Sequence, residues 1–151
     1  MTDILNLGAG NRIMVGATNH DLHAHRPEID VVHDLNVIPW PWPDETCDLI
    51  VASSVFEHLS IDLVQALDEC WRILRPGGLL RIKGPYWKHD NAYADPTHRW
   101  RYSLRSLDVF DPDTKLGTGL GFYTSRKWAL AEPPRLNEQQ SSVIAVLRVR
   151  K

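Results

Sequence analysis

The sequence has few cysteines and no long apolar run, and neither sign of charge dominates. Its two cysteines, Cys47 and Cys70, show neither metal-ligand spacing nor a disulfide framework. They are interpreted as packing residues in a reducing compartment. No apolar stretch approaches the roughly 18 residues that a membrane helix needs, and no signal-peptide pattern is visible. We therefore expect a cytoplasmic protein without a membrane span.

Charge is nearly balanced, with 17 Lys and Arg against 19 Asp and Glu and a formal net charge of -2. This balance gives no strong signal for a nucleic-acid partner or a membrane surface. One local basic stretch contains Lys88, Arg99, Arg101 and Arg105. The 151 residues match the size of a single domain with a buried core, so one domain is expected over residues 1–151.

A short apolar strand at residues 3–7 runs directly into Gly8-Ala9-Gly10. Glycines at the carboxyl end of a strand allow a tight turn and a close approach of backbone to a ligand, because they lack a Cβ. In open α/β sheets, ligands bind outside the carboxyl ends of the strands. The stretch therefore predicts the start of a parallel sheet with a ligand site at its carboxyl edge.

Apolar segments alternate with turns or helices and end in adjacent strands, which indicates a mostly parallel sheet with an antiparallel edge. Strands are predicted at residues 3–7, 18–22, 29–35, 47–53, 79–84, 122–124, 128–131 and 143–149. The strand from Cys47 to Ser53 is nearly all apolar, which predicts burial on both of its faces.

One long helix is predicted at residues 61–74, with Ser60 as its N-cap and Pro76-Gly77-Gly78 after its end. A shorter helix is predicted at residues 104–110. The glycine-rich segment 117–121 precedes a strand instead of following one, so it does not have the context of a phosphate-binding turn. It is interpreted as a mobile loop.

Several motifs occur in a characteristic order over residues 4–85. They are Leu5-Asn6-Leu7-Gly8-Ala9-Gly10, Asp21, Asp34-Leu35-Asn36, Cys47-Asp48-Leu49-Ile50, Phe56-Glu57-His58-Leu59 and Arg72-Ile73-Leu74-Arg75-Pro76-Gly77-Gly78. With these motifs the chain resembles the class I S-adenosylmethionine-dependent methyltransferases, in particular the small catalytic domain called methyltransferase type 11. The resemblance implies a Rossmann-like α/β fold whose seven-stranded sheet has the order 3-2-1-4-5-7-6 and an antiparallel last strand.

The resemblance also implies a binding site for S-adenosylmethionine. Backbone amides of the glycine turn would face its methionine carboxylate, Asp21 would accept from the ribose hydroxyls, and Asp34 with Leu35 would contact the adenine. Ser53 would close the site near the methionine end. The cofactor-binding residues expected on this basis are Leu7, Gly8, Ala9, Gly10, Asn11, Asp21, Leu22, Asp34, Leu35, Asn36 and Ser53.

No catalytic residue can be assigned from the sequence, because the cofactor carries the reactive methyl group and a base is needed only for a protonated acceptor. The catalytic candidates are His58, in the turn after the fourth strand, and Tyr86, His89 and His98, which follow the fifth strand and would face the methyl group. The acidic and histidine residues between His89 and His98 fit no standard ligand spacing, so no metal site is expected.

Two features depart from the family pattern. Arg12 occupies the place of the usual third glycine, and the first helix is shortened to a few residues. A nicotinamide-dependent oxidoreductase is the first alternative, but its acidic residue would follow about 20 residues after the glycines. The second is a non-catalytic module that keeps the fold and binds S-adenosylmethionine or a protein partner.

The methyl acceptor is not identifiable from the sequence, and a small molecule, glycan or lipid is favoured over nucleic acid. Residues 85–121 are expected to form the substrate side of the domain. Oligomeric state stays open, and a homo-oligomer that covers the substrate side is one option.

Overall fold

The computed structural model describes residues 3–151, whose strands form one seven-stranded sheet. The strands are β1 (Ile4–Leu7), β2 (Thr18–Asp21), β3 (Val31–Val32), β4 (Cys47–Ser53), β5 (Leu74–Pro85), β6 (Lys127–Leu136) and β7 (Ser142–Arg150). Their order is β3-β2-β1-β4-β5-β7-β6, and β7 is antiparallel to both β5 and β6. The predicted order and the antiparallel last strand are confirmed.

Three α-helices accompany the sheet in the described residues. They are α1 (Leu63–Ile73), α2 (Asn91–Ala94) and α3 (Lys115–Leu120). The predicted N-cap Ser60 is wrong, because α1 begins after Asp62, whose side chain accepts from the Gln65 amide while the Gln65 side chain accepts from the Asp62 amide. This reciprocal pair satisfies two free donors at the helix start. None of these helices has the length and apolar composition to cross a membrane.

The connection from β1 to β2 contains turns in place of a helix. Two buried asparagines hold it together. Asn19 Oδ1 accepts from Asn6 Nδ2 at 2.9 Å and from the Met14 amide at 3.0 Å, and Asn19 Nδ2 donates to the Met14 carbonyl at 3.1 Å. These bonds replace the hydrogen bonds that a helix would have made. In place of the shortened first helix expected from the sequence, the structure has a loop held by the side chains of Asn6 and Asn19.

The two faces of the sheet are covered unequally. On one face, Leu5, Ile50, Leu80 and Leu147 lie in register and are fully buried. On the other face, the neighbouring positions Val51 and Val146 are only half-buried and Arg81 between them is exposed. The prediction that β4 is buried on both faces is wrong. The physical reason is that no helix between β1 and β2 packs on the second face.

The segment after β5 is anchored by a close contact with Gly84. The buried Tyr102 ring packs so tightly on this glycine that an added Cβ would lie 2.1 Å from Tyr102 Cε2. The backbone adds two bonds, from the Tyr102 amide to the Pro85 carbonyl at 2.8 Å and from the Trp87 amide to the Tyr102 carbonyl at 2.9 Å. Residues 86–101 therefore form a loop that returns to the end of β5.

Four local predictions near the carboxyl end of the chain are wrong. The glycine-rich segment 117–121 belongs mostly to α3, because Thr114 Oγ1 caps the helix by accepting from the Gly117 amide at 2.9 Å. The predicted helix 104–110 is reduced to a 3-10 turn at Asp108–Phe110, and the predicted strand 122–124 is largely another 3-10 turn. The strand predicted at residues 128–131 is too short, since β6 continues along β7 to Leu136.

Candidate functional site

A cavity of about 280 Å³ lies at the carboxyl ends of β1, β2 and β4. Its lining residues come from the turns that follow these strands and from the loop after β3. They are Gly8, His20, Asp21, Leu22, His33, Asp34, Leu35, Asn36, Ser54, Val55, His58 and Leu59. We call this cavity the nucleoside-side pocket, after the part of the cofactor that the sequence resemblance predicts here. It occupies the position at which ligands bind in open parallel sheets.

Six residues expected to contact the cofactor line this pocket together. They are Gly8, Asp21, Leu22, Asp34, Leu35 and Asn36. Of the other expected residues, Leu7 and Ala9 are buried in the core, Ser53 lines a neighbouring cavity, and exposed Asn11 accepts from the Arg26 guanidinium at 3.1 Å. Sequence reasoning missed His20 and Val55 as lining residues, although both adjoin a strand end that it had identified.

The backbone amides of the glycine turn already have acceptors within the protein. The Gly8 amide donates to His20 Nδ1 at 3.3 Å, the Ala9 amide to the His20 carbonyl at 2.8 Å, and the Gly10 amide to Asp21 Oδ2 at 2.7 Å. The expectation was that these amides would be available to the methionine carboxylate. A ligand anion therefore needs another donor at this position, or it must displace these bonds.

His20 is buried beneath the glycine turn in one tautomer. Its Nε2 lies 2.9 Å from the His33 carbonyl, which only accepts, so Nε2 carries the proton and Nδ1 is free to accept from the Gly8 amide. Burial lowers the pKa of His20 below its ordinary value of 6.5. The neutral ring thus links the first two strands to the loop after β3.

Two carboxylates face the pocket from neighbouring turns. Asp21 accepts backbone amides on both oxygens, from Gly10 on Oδ2 and from Leu22 on Oδ1, each at 2.7 Å. Asp34 is exposed and accepts from the Asn36 amide at 2.9 Å. Each carboxylate oxygen has two lone pairs, so both side chains retain acceptor capacity for hydroxyl or amino donors of a ligand.

The loop after β3 is held by α1 through a cationic side chain. Arg72 pairs with Glu69 at 2.8 Å and donates to the Trp40 carbonyl at 3.1 Å, while the Trp40 amide donates to Glu69 Oε2 at 2.7 Å. The buried Trp40 ring then donates from Nε1 to the Leu35 carbonyl at 2.9 Å. Trp40 is therefore a structural anchor that positions Leu35 at the pocket.

A second cavity of about 230 Å³ shares Gly8 with the first and opens on the less covered sheet face. Three cationic side chains line it (Arg12, Arg81 and Lys83), and no carboxylate does. Arg12 Nη2 donates to the Ser53 carbonyl at 2.7 Å, which fixes one end of its guanidinium beside the glycine turn. The residue that replaces the third glycine therefore brings positive charge to the edge of the site.

Glu57 and His58 follow β4 in a 3-10 turn, and His98 approaches them from the loop after β5. We call this region the acceptor side, because the sequence predicts that residues 85–121 form the substrate side. One potential ligand atom from each residue lies within 4.8 Å of the others. Burial raises the pKa of Glu57, whose Oε2 has no hydrogen-bond partner. Burial also lowers the pKa of His58, and the neighbouring His98 adds to this effect.

The remaining catalytic candidates lie apart from this cluster. Tyr86 bridges to Tyr102 and contacts Trp87 edge to face, with ring centroids 6.4 Å apart. His89 Nδ1 accepts from the Asn91 amide at 3.1 Å. The structure thus brings together His58 and His98, whose ring centroids are 4.9 Å apart, and adds Glu57, which sequence reasoning had not included among the catalytic candidates.

Comparison with known sequences supports the motif analysis. The family model described as a methyltransferase domain matches residues 12–82. Over 69 residues, the chain is 39% identical to a protein of Mycolicibacterium smegmatis described as a probable S-adenosylmethionine-dependent methyltransferase. This match covers 46% of the chain, and the chain spans about a quarter (26%) of the length of that relative.

Solved structures with the same fold cover nearly the whole chain. A methyltransferase described as SAM-dependent from Aquifex aeolicus superposes with a TM-score of 0.64 at 15% identity, covering 99% of this chain and 82% of that one. A chain of the Haloferax volcanii complex that includes the Trm112 methyltransferase activator gives 0.67 at 14% identity, with 99% and 83% covered. The [4+2]-cyclase SpnF gives 0.65 at 12% identity, with 98% and 74% covered.

These comparisons confirm the resemblance to class I methyltransferases. The distant structures establish the fold, and the family model ties residues 12–82, which follow the glycine turn, to the methyltransferase domain. The SpnF match also illustrates that this fold supports chemistry other than methyl transfer.

Proposed function

We infer that this chain, which resembles the class I methyltransferases in fold and in sequence, binds S-adenosylmethionine and transfers its methyl group to an acceptor. The observation that carries the proposal is the nucleoside-side pocket. There, Asp21 and Asp34 face one cavity from the ends of neighbouring strands. Two acceptor side chains at this position suit the ribose hydroxyls and the adenine amino group of the cofactor.

The residues in the pocket fit the nucleoside half of the cofactor. Asp21 would accept from the ribose, Asp34 and the Leu35 backbone would contact the adenine, and Gly8 would allow the close approach that a Cβ would block. An added Cβ at Gly8 would meet Val55 Cγ2 at 2.6 Å, so the space beside this turn is already tight.

The methionine half requires a cation in place of the occupied amides. Arg12 is the cation nearest to the glycine turn on the second cavity, and one guanidinium nitrogen is already fixed on the Ser53 carbonyl. We propose that its remaining donors bind the methionine carboxylate, because a guanidinium matches a carboxylate in geometry and charge. Arg12 would then compensate for the lost third glycine.

When bound, the cofactor supplies a methyl group already activated by a sulfonium charge. The protein's contribution is to hold the acceptor in line with that methyl and to exclude water. Where the acceptor carries a proton, we propose that His58 removes it. Its Nδ1 is engaged with Thr97 at 2.8 Å, which leaves Nε2 as the basic nitrogen, and its lowered pKa keeps the ring neutral.

The proposal is tested by calorimetric titration of the purified chain with S-adenosylhomocysteine, with NAD as a negative control. We expect specific binding of the sulfur ligand that weakens at least about 30-fold in Asp21→Ala, because hydrogen bonds to a charged group contribute about 1.5–3 kcal/mol each. Asp113→Ala, at an exposed carboxylate away from the pocket, is the matched control. Absence of binding to the sulfur ligand would exclude the proposed function for this chain.

The role of Arg12 is separable with a truncated ligand. Arg12→Ala should weaken S-adenosylhomocysteine but leave adenosine binding unchanged, because adenosine has no carboxylate. Arg81→Ala, which removes another cation from the same cavity, is the matched control. Equal losses for both ligands would show that Arg12 supports the pocket as a whole.

A non-catalytic module is the second candidate function. It is favoured by the internally satisfied glycine-turn amides. Binding of S-adenosylhomocysteine without methyl transfer to any of a broad acceptor panel would favour this module. Turnover with one acceptor would exclude it.

Further parts of the proposal concern acceptor, domain and location. We propose that residues 1–151 act as one catalytic domain whose substrate side is residues 85–121, which return to the end of β5 through Tyr102. A small-molecule, glycan or lipid acceptor is proposed, with a homo-oligomer as an option for covering this side. A cytoplasmic location is proposed because both cysteines are buried free thiols.

A further inference from the structure

Three residues beside the nucleoside-side pocket form a set of potential metal ligands that no sequence motif had indicated. Glu57, His58 and His98 each offer one ligand atom within 4.8 Å of the other two. They come from two separate segments, a 3-10 turn after β4 and a loop after β5. We call them the Glu-His-His cluster.

Glu57 gives independent evidence that the cluster lacks a ligand. Glu57 is only 1% exposed, and its Oε2 has no hydrogen-bond partner. A buried carboxylate without a partner is costly, and buried charges are normally paired or bound to metal ions. The unpaired oxygen therefore indicates a missing cation or proton donor at this point.

Hydrogen bonds set the tautomer of His58. Thr97 Oγ1 donates its proton to Asp95 Oδ1 at 2.7 Å, so it meets His58 Nδ1 at 2.8 Å with a lone pair. His58 Nδ1 must then be the donor, and the ring's available lone pair lies on Nε2. The Asp95 carboxylate thus accepts from the Thr97 hydroxyl, which in turn accepts from the His58 ring.

His98 is set in the same way by the backbone. Its Nδ1 lies 3.2 Å from the Ala92 carbonyl, which only accepts, so the lone pair of the neutral ring is again on Nε2. Metal-binding histidines typically donate their other ring N–H to a carboxylate or a backbone carbonyl, which fixes the tautomer and the ring orientation. Both supports are present here, one for each ring.

We propose that Glu57, His58 and His98 bind a first-row divalent cation such as Zn²⁺. Two imidazoles and one carboxylate are the ligands of a catalytic zinc site, which leaves a further position open. Nitrogen ligands favour Zn²⁺ over Mg²⁺ or Ca²⁺, which prefer oxygen. His58 is held by Thr97 and Glu57 is buried, while His98 is held by the Ala92 carbonyl with its Nε2 3.8 Å from Asp95 Oδ2.

The location gives the cation a use that rests on the proposed function. Glu57 and His98 line a small cavity of about 170 Å³ with Pro85 at the end of β5, and His58 lines the nucleoside-side pocket. An acceptor hydroxyl that binds at the open position would lose its proton to solvent more readily, because a divalent cation lowers the pKa of its ligands. The cation would then replace His58 as the means of deprotonation, because the Nε2 lone pair of His58 would bind the metal. The preferred acceptor would then carry a hydroxyl or another metal-binding oxygen.

The test is calorimetric titration of the chain, free of any histidine tag, with ZnCl₂, together with the absorption spectrum of the Co²⁺ form. We expect about one equivalent of Zn²⁺ and a Co²⁺ spectrum typical of a low coordination number. Glu57→Gln and His98→Gln should each weaken Zn²⁺ binding more than about ten-fold, and Thr97→Val, which removes the support of His58, about ten-fold.

His23→Gln is the matched control, because His23 is exposed and lies outside the cluster. Thermal unfolding of each variant verifies that it is folded. The comparison requires that Glu57→Gln or His98→Gln unfolds cooperatively. The proposal is overturned if no Zn²⁺ binds at millimolar concentration, or if His23→Gln weakens binding as much as Glu57→Gln does. Zn²⁺ binding without S-adenosylhomocysteine binding would refute the proposed function alone, and the reverse result would refute the metal site alone.

Discussion

The nucleoside side and the acceptor side of the site meet at Ser54 and His58 but are built differently. On the nucleoside side, each lining residue lies at or just after a strand end within the first 59 residues. On the acceptor side, the contact between His58 and Thr97 joins residues 39 positions apart. Strand ends are readable from a local pattern, whereas the second side exists only after the loop beyond β5 has folded back.

The two sides also differ in how far their polar groups are satisfied. The glycine-turn amides and His20 are paired within the protein. On the acceptor side, Glu57 Oε2 is buried without a partner, and Glu57 lines a cavity. The nucleoside side is therefore pre-organised by its own contacts, and the acceptor side retains an unsatisfied group for a ligand.

The largest effect is expected on the acceptor side, for Gly84→Ala. The new methyl would lie 2.1 Å from Tyr102 Cε2 and would displace the ring that anchors the loop. Overpacking of this kind costs about 3 kcal/mol, measured as the free energy of unfolding in urea. Gly119→Ala, where an added Cβ meets no atom within 4 Å, should cost nothing. Equal stability of the two variants would show that Tyr102 does not anchor this side.

Arg72→Met should disturb the nucleoside side by about 2 kcal/mol, because it leaves the nearly buried Glu69 carboxylate without its cation. Since Trp40 and Leu35 depend on this pair, affinity for S-adenosylhomocysteine should also fall. Arg75→Met is the control. Its pairs with Asp3 and Asp48 are solvent-exposed, so we expect less than about 1 kcal/mol. A larger loss for Arg75→Met would contradict this order.

The glycine turn permits a finer comparison within the nucleoside side. Gly10→Ala should cost about 1 kcal/mol, because φ is +53° and the nearest atom is 4.0 Å from the added Cβ. Gly8→Ala should cost about 1 kcal/mol more, because its Cβ would also meet Val55 Cγ2 at 2.6 Å. Removing that neighbour in Gly8→Ala/Val55→Ala should relieve the clash. Urea unfolding of all variants measures the difference.

The smallest effect concerns pH. Because burial lowers the pKa of His20 in the folded chain, the unfolded chain takes up a proton near 6.5 before the folded chain does. The contribution of His20 is therefore fully present above pH 6.5 and is lost as pH falls toward its folded pKa. We expect His20→Gln to remove this part of the pH dependence of the unfolding free energy between pH 7 and 5. An unchanged profile would show that His20 is not held neutral.

The pH dependence of stability expected for Glu57, on the acceptor side, has the opposite sign. Burial raises the pKa of Glu57, so its neutral form stabilises the fold at low pH, and this contribution is lost as pH rises above 4.5 through its folded pKa. Glu57→Gln should therefore be more stable than the original chain near neutral pH in the absence of metal. The unfolding free energy measured against pH therefore distinguishes the contribution of Glu57 from that of His20.

Several structural elements were predictable because they depend on local chemistry. The strands from Ile4 and Cys47 follow from apolar runs, and the order of the sheet followed from the family resemblance that the glycine turn and the Pro-Gly-Gly motif supported. Errors arose where another contact determined the local conformation. Residues 117–121 are glycine-rich, yet most of them form a helix because Thr114 caps it. At position 117, only a glycine fits against the Asp111 backbone.

Local sequence patterns were enough to predict the parallel sheet and the carboxylates at its strand ends, because apolar runs and glycine turns act over a few residues. Tertiary contacts were needed to pair the glycine-turn amides with His20 and Asp21 and to leave one face of the sheet less covered. They also bring Glu57, His58 and His98 together. Those features depend on side chains that are distant along the chain, and only the folded backbone places them together.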